Sequence, residues 1–135
     1  MASFEKQIRN FANGTNKKMD RVFRKIALDM FTEVILRTPV DTGAARANWR
    51  VAIGEVPHGT LDLNDVSGQA TISAAAAKAM SLEAGDTIYL ANSLPYIKRL
   101  MNDGWSQQAP AGAFDLVVQR YKVIAGRAIA EIARQ

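Results

Sequence analysis

Cysteine is absent from this chain of 135 residues. That excludes disulfides, thiolate nucleophiles and cysteine-ligated zinc, and it fits synthesis in a reducing cytoplasm. Histidine occurs once, as His58. Pro57 and Gly59 beside it suggest an exposed turn, and no second histidine can share a metal or complete a triad. No run of about 18 apolar residues is present, so no segment is expected to span a membrane. The opening residues Met1-Ala-Ser-Phe-Glu-Lys lack an apolar signal segment. Phosphate-binding glycine loops, His-Glu-x-x-His and the nucleophile elbow are missing too. The expectation is a protein that is not an enzyme, with no catalytic residue, no metal site and no cofactor.

What is present is the balance of an ordinary globular domain, 48% hydrophobic and 22% charged. The length suits one domain, residues 1–135, with a single core. Charge is uneven: residues 1–50 hold ten Lys/Arg against five Asp/Glu, and 51–90 hold one against five. Basic and acidic residues alternate along the helical stretches. Two readings stay open, a solvated helix face and a patch facing DNA or a partner.

The chain changes character at Arg37-Thr-Pro-Val-Asp-Thr-Gly-Ala-Ala-Arg-Ala-Asn-Trp-Arg50. Pro39 disfavours the helical region for Thr38, so the preceding helix should stop there. Asp41 and Thr42 can turn their side-chain oxygens onto nearby backbone N–H groups, and Gly43 can take a positive φ. From 46 to 53 the pattern alternates, with Ala47, Trp49, Val51 and Ile53 facing one way and Arg46, Asn48, Arg50 and Ala52 the other. That period of two predicts a strand with one buried face.

Before this junction, Ser3 to Ala12 predicts a short helical arm (residues 1–15) carrying Phe4, Ile8 and Phe11, broken by Asn13-Gly14. Asn16 then caps a second helix over 16–38, whose stripe runs Met19, Val22, Phe23, Ile26, Met30, Phe31, Val34 and Ile35. Phe23 and Phe31 read as core. After the junction, Gly54 to Gly68 is polar and broken, either a weak strand or a mobile loop, and 54–72 is loop-rich. Ser73 to Glu83 has strong helix propensity, with Gly85 to end it. Thr87 to Asn92 reads as a strand with Ile88 and Leu90 on one face. Ser93 and Pro95 open a short helix bearing Tyr96, Ile97 and Leu100, which Asp103-Gly104 ends. Gly112 to Arg134 is again helical, with Gly126 as the place for a bend or a close crossing. The fold class expected is α+β: long amphipathic N- and C-terminal helices packed on a small, mostly antiparallel β-sheet.

Val40-Asp41-Thr42-Gly43-Ala44 matches the aspartic protease signature, in which each chain of a dimer supplies one carboxylate of a proton-sharing pair. That chemistry needs an apolar strand leading into the aspartate. Here an amphipathic helix and Arg37-Thr38-Pro39 precede it. A retropepsin-like protease is accordingly a distant third reading, and a structural turn the first.

Four blocks occur in order: Thr38-Pro-Val-Asp-Thr-Gly43, Ala47-Asn-Trp49, Asn92-Ser-Leu-Pro-Tyr96 and Gly104-Trp-Ser-Gln-Gln-Ala-Pro-Ala-Gly112. Together they resemble the neck or tail-completion proteins of long-tailed bacteriophages, including the minor tail protein Z type of lambda-like phages, over roughly residues 16–135. The resemblance implies a small virion structural subunit without catalysis, made in the host cytoplasm. It also implies a homo-oligomeric ring, hexameric or dodecameric, at the head–tail junction. Its partners would be other neck, connector and tail-terminator proteins, with DNA crossing the channel without sequence recognition and no membrane involved. A small basic DNA-binding adaptor is the alternative.

In this reading Thr38, Pro39, Asp41, Thr42, Gly43 and Trp49 form a structural turn, with Trp49 in the core. The subunit contacts expected are Asn92, Pro95, Tyr96, Lys98, Arg99, Gly104, Trp105, Gln107 and Pro110, polar groups mixed with aromatics as interfaces favour. Trp105 fits either core or contact. The acidic 54–70 segment, with Glu55, Asp62 and Asp65, is the opposite patch, and Lys98 and Arg99 could orient it.

Overall fold

The computed structural model describes residues 2–101 and 114–134. Its backbone of reference is α1 (Ala2–Arg37), an α-helix of 36 residues, roughly 54 Å long at 1.5 Å per residue. Asn13-Gly14 does not break it. An interior glycine costs only about 1 kcal/mol relative to alanine, and no proline before Pro39 removes a helical N–H. The short arm and the second helix of the sequence reading are therefore one element. It ends where Pro39 requires, with the Thr38 N–H turned back to the Ile35 carbonyl at 3.2 Å.

Next come α2 (Ala44–Ala47), a single helical turn, and β1 (Trp49–Ile53). The strand expected from residue 46 begins three residues later. β1 pairs antiparallel with β2 (Ile88–Asn92), placing Trp49 opposite Asn92, Val51 opposite Leu90 and Ile53 opposite Ile88. Among the described residues these two strands form the sheet, and the helices packed on it make the fold α+β. α3 (Gln69–Ala79) lies against both α1 and β1. It starts four residues before the expected Ser73, so the loop-rich stretch stops at Gly68.

α4 (Ile97–Met101) follows β2 and buries Leu100 and Met101. The C-terminal helical stretch divides into α5 (Phe114–Gln119) and α6 (Tyr121–Ala133). The division falls at Arg120, whose N–H is shared between the Leu116 and Val117 carbonyls at 3.2 and 3.1 Å. Gly126 sits inside α6, and a Cβ there would meet no atom within 4 Å. It marks no close crossing.

The core gathers Val34 and Ile35 of α1, Trp49 and Val51 of β1, Ala75 of α3, Leu100 and Met101 of α4 and Val117 of α5. Phe31 packs against this cluster as expected, but Phe23 does not join it and is 44% exposed. α6 is tied to α1 by the Lys25–Glu131 ion pair, and near Asp20 and Arg24 α1 meets the turn at Leu82 and Ala84. These contacts leave Phe23 largely at the surface.

Candidate interaction surface

The helix-to-strand junction is a closed knot of hydrogen bonds. Thr38 is fully buried; its hydroxyl donates to the Val34 carbonyl at 2.7 Å and accepts the Trp49 indole N–H at 2.8 Å. Pro39 is buried beside it, and Thr42 Oγ1 accepts the Ala44 N–H at 3.3 Å, the turn chemistry expected of it. Asp41 is exposed. Gly43 has φ 89°, and its buried Cα leaves no room for a side chain: a Cβ would stand 2.7 Å from the backbone nitrogens of Asp65 and Val66. Its carbonyl accepts the Asp65 N–H at 3.0 Å.

That last bond introduces a layer with no local signature in the sequence. Arg46, expected to point outward along a strand, donates Nε to the Thr38 carbonyl, Nη1 to Val66 and Nη2 to Leu36, at 2.9, 2.8 and 2.7 Å. One guanidinium thus closes the C-terminal carbonyls of α1 and ties the 54–68 segment to them. Asn48, also expected to face away, is fully buried. Its amide donates to the carbonyls of Ala44 and Leu61 at 2.8 and 3.1 Å and accepts the Leu61 N–H at 2.6 Å. Arg50 donates to the His58 carbonyl. The 54–68 segment forms no strand; side chains of the junction pin it in place.

Asp65 ends this segment and starts α3. Gly68, in the N-cap position, has no side chain to offer, and the Asp65 carboxylate substitutes for one. It accepts the Gly68 N–H at 3.1 Å, the Thr71 N–H at 2.8 Å and the Thr71 hydroxyl at 2.7 Å. Burial by itself would raise this carboxyl, but the hydrogen bonds from Thr71, Gly68 and Ser67 outweigh it and hold its pKa below the usual value. Asp65 is therefore consumed within the chain and is not available to orient a neighbour. An Asp and a Ser just ahead of an alanine-rich run are a helix-start signal, and they could have placed α3 correctly.

The expected contact residues fall into three groups. Asn92 serves its own chain, donating to the Ala45 carbonyl at 2.9 Å and accepting the Leu94 N–H at 3.1 Å. α4 begins only at Ile97, so the Ser93 start expected for this helix is not observed. Pro95, Tyr96, Lys98 and Arg99 are exposed. Gly104, Trp105, Gln107 and Pro110 lie outside the described residues, as does Asp103-Gly104 as a helix end.

Away from the junction, Glu33 receives Arg120 as a two-pronged ion pair, Nε at 2.9 Å from Oε2 and Nη2 at 2.9 Å from Oε1. The Arg120 hydrogen bonds hold the Glu33 carboxyl below its usual pKa. Among the described residues no group of three or more His, Asp or Glu side chains is placed to hold a metal ion. No described helix is long and apolar enough to cross a membrane.

What the surface does carry is large apolar side chains. Leu63 is 58% exposed and Val66 60%, while Val118 and Ile129 stand out on α5 and α6. A cleft of about 450 Å³ opens between α3 and the pinned segment, floored by β1 and lined by Trp49, Val51, Leu61, Leu63, Ala74 and Ala75 among others. No protein-family model matches this chain, and neither a curated protein nor a solved structure does.

Proposed function

We propose that this protein is a structural subunit of a tailed bacteriophage particle, a ring-forming neck or tail-completion protein at the head–tail junction. One observation carries the reading. Apolar side chains stand exposed at separate places on the surface, Leu63 and Val66 on one segment and Val118 and Ile129 on the C-terminal helices, while the junction's polar groups are spent on internal hydrogen bonds. Val56, Leu61, Leu63 and Val66 are exposed together on one segment, and such grouping, unlike single apolar residues, supports a surface that other subunits cover. The four ordered sequence blocks point to the neck family, and a ring around a DNA channel is the assembly that follows from it. Deleting the gene in its phage is the direct test: heads and tails that accumulate unjoined are the expected result. Infectious particles in normal yield overturn the assignment.

A DNA-binding adaptor is the second reading, favoured by exposed Lys17 and Lys18 beside Arg24 on one stretch of α1. It requires DNA retention that weakens steeply with salt, since phosphate contacts release counterions. It also requires loss of that retention in Lys17→Glu/Lys18→Glu.

A further inference from the structure

The edge of β1 away from β2 is open, and the cleft runs along it. The Gly54 N–H donates to the Thr87 carbonyl at 2.9 Å, and the register that sets Ile53 opposite Ile88 sets Gly54 opposite Thr87. Hydrogen-bonded and non-hydrogen-bonded pairs alternate along an antiparallel ladder. Arg50 and Ala52 therefore exchange bonds with β2, while Trp49, Val51 and Ile53 turn their main-chain N–H and C=O groups the other way. Among the described residues nothing pairs with those outward groups. Val51 is only 9% exposed, and buried main-chain groups are as a rule paired.

The cleft of about 450 Å³ lies on this side of the strand. Trp49, Arg50, Val51 and Ala52 line it in succession, and no residue of β2 does. Successive residues of a strand point to opposite faces, so four in a row mark a strand met edge-on. α3 is one wall, and the stretch between Pro57 and Asp65 is the other. That second wall is joined to β1 by side chains and not by main chain: Asn48 reaches Leu61, and Arg50 reaches the His58 carbonyl. The slot beside Val51 is left open. From Trp49 to Ile53 the edge is roughly 13 Å long, enough for a short strand.

Charge restricts what enters. The ionised side chains lining the cleft are Arg50, Asp65 and Lys78. The Asp65 carboxylate is already taken by Gly68 and Thr71. The Lys78 ammonium has no hydrogen-bond or ion-pair partner among the described residues, and Arg50 has N–H donors beyond the one given to His58. The cleft thus offers two cations over an apolar lining.

We infer that this cleft takes an extended, acidic segment of a partner protein, which adds to β1 as a third strand. Its main chain pairs with Val51, its alternate apolar side chains settle on the lining, and its carboxylates face Arg50 and Lys78. The cations select the sign of the segment more than they add affinity. The inference rests on the cleft alone and holds whether or not the subunit belongs to a phage neck.

The test selects a randomised library of short linear peptides on the wild-type chain, with Ala74→Trp used to remove peptides that bind elsewhere. Ala74 is exposed on α3 and lines the cleft, so the indole fills the slot without entering the core. Circular dichroism and a thermal melt check that the variant folds, and Lys78→Glu, a surface change, provides a second counter-selection. Enriched peptides are expected to alternate apolar residues with Asp or Glu. A synthetic peptide of that pattern should slow amide exchange at Val51 and lose binding when alternate backbone nitrogens are methylated. It should bind Lys78→Glu about tenfold more weakly, and replacing its Glu by Lys should recover binding to that variant. Failure to enrich any peptide that distinguishes wild type from Ala74→Trp overturns the inference. So do enriched peptides that are basic, or that leave Val51 exchange unchanged. Self-association of wild type that Ala74→Trp abolishes overturns it too, since a second copy then fills the cleft. None of these results bears on the gene deletion, which tests the ring reading separately.

Discussion

The Trp49 indole N–H ends on the Thr38 hydroxyl at 2.8 Å, eleven residues back in the chain, and that hydroxyl ends on the Val34 carbonyl. The relay ties the first residue of β1 to the last turn of α1 inside the core. Thr38→Val keeps the shape but leaves the buried indole N–H without an acceptor. Loss of about 1–3 kcal/mol is expected, read as a lower urea midpoint with an unchanged slope. An unaltered midpoint would show that the indole finds another partner.

Gly43 and Gly54 separate two costs of a side chain. Both have positive φ, 89° and 91°, but a Cβ at Gly43 meets backbone at 2.7 Å and one at Gly54 meets nothing within 4 Å. Gly54→Ala should cost only the conformational penalty, about 1 kcal/mol. Gly43→Ala should cost clearly more, because the 65–66 backbone has to move, and Gly43→Val more again. Equal melting temperatures for the two alanine variants would show that the 65–66 backbone yields freely.

Asn48 is the anchor of the 54–68 segment. Asn48→Ala removes the hydrogen bonds to Ala44 and Leu61. A loss of roughly 2 kcal/mol is expected from the polar groups stranded there. Amide exchange should rise at Leu61 and its neighbours well before the rest of the chain. Exchange that rises uniformly would mean the segment unfolds only with the whole domain.

Acid should loosen the fold through two carboxylates. Asp65 and Glu33 both have folded pKa values below their ordinary ones, so the unfolded chain binds their protons more readily. Their stabilisation is complete above the unfolded values, about 3.9 for Asp and 4.3 for Glu. It is lost as pH falls through the depressed folded values. Urea midpoints measured down this range should fall for wild type. In Asp65→Asn and Glu33→Gln they should start lower and fall less steeply. A variant that keeps the full acid slope would remove that carboxylate from the account.

Asp41 is exposed at the turn, and Asp41→Asn should change neither the melting temperature nor assembly appreciably. Peptide cleavage by wild type that this variant abolishes would revive the protease reading.

The sequence by itself determined whatever rests on local preference. Pro39 ends α1, Thr42 and Gly43 make the turn, and alternating residues through Trp49, Val51 and Ile53 form a half-buried strand. These follow from allowed backbone angles and from periods of two and 3.6, which act over a few neighbours. Only the tertiary structure decided the remainder. Arg46 and Asn48 turn inward because carbonyls 8 to 20 residues away in sequence need donors, and a polar residue in an alternating run carries no mark of such a distant acceptor. Phe23 lies close to Val34 around the helix, yet it is 44% exposed. Periodicity tells which side of a helix is apolar; where the covering helices stop tells how much of that side is buried.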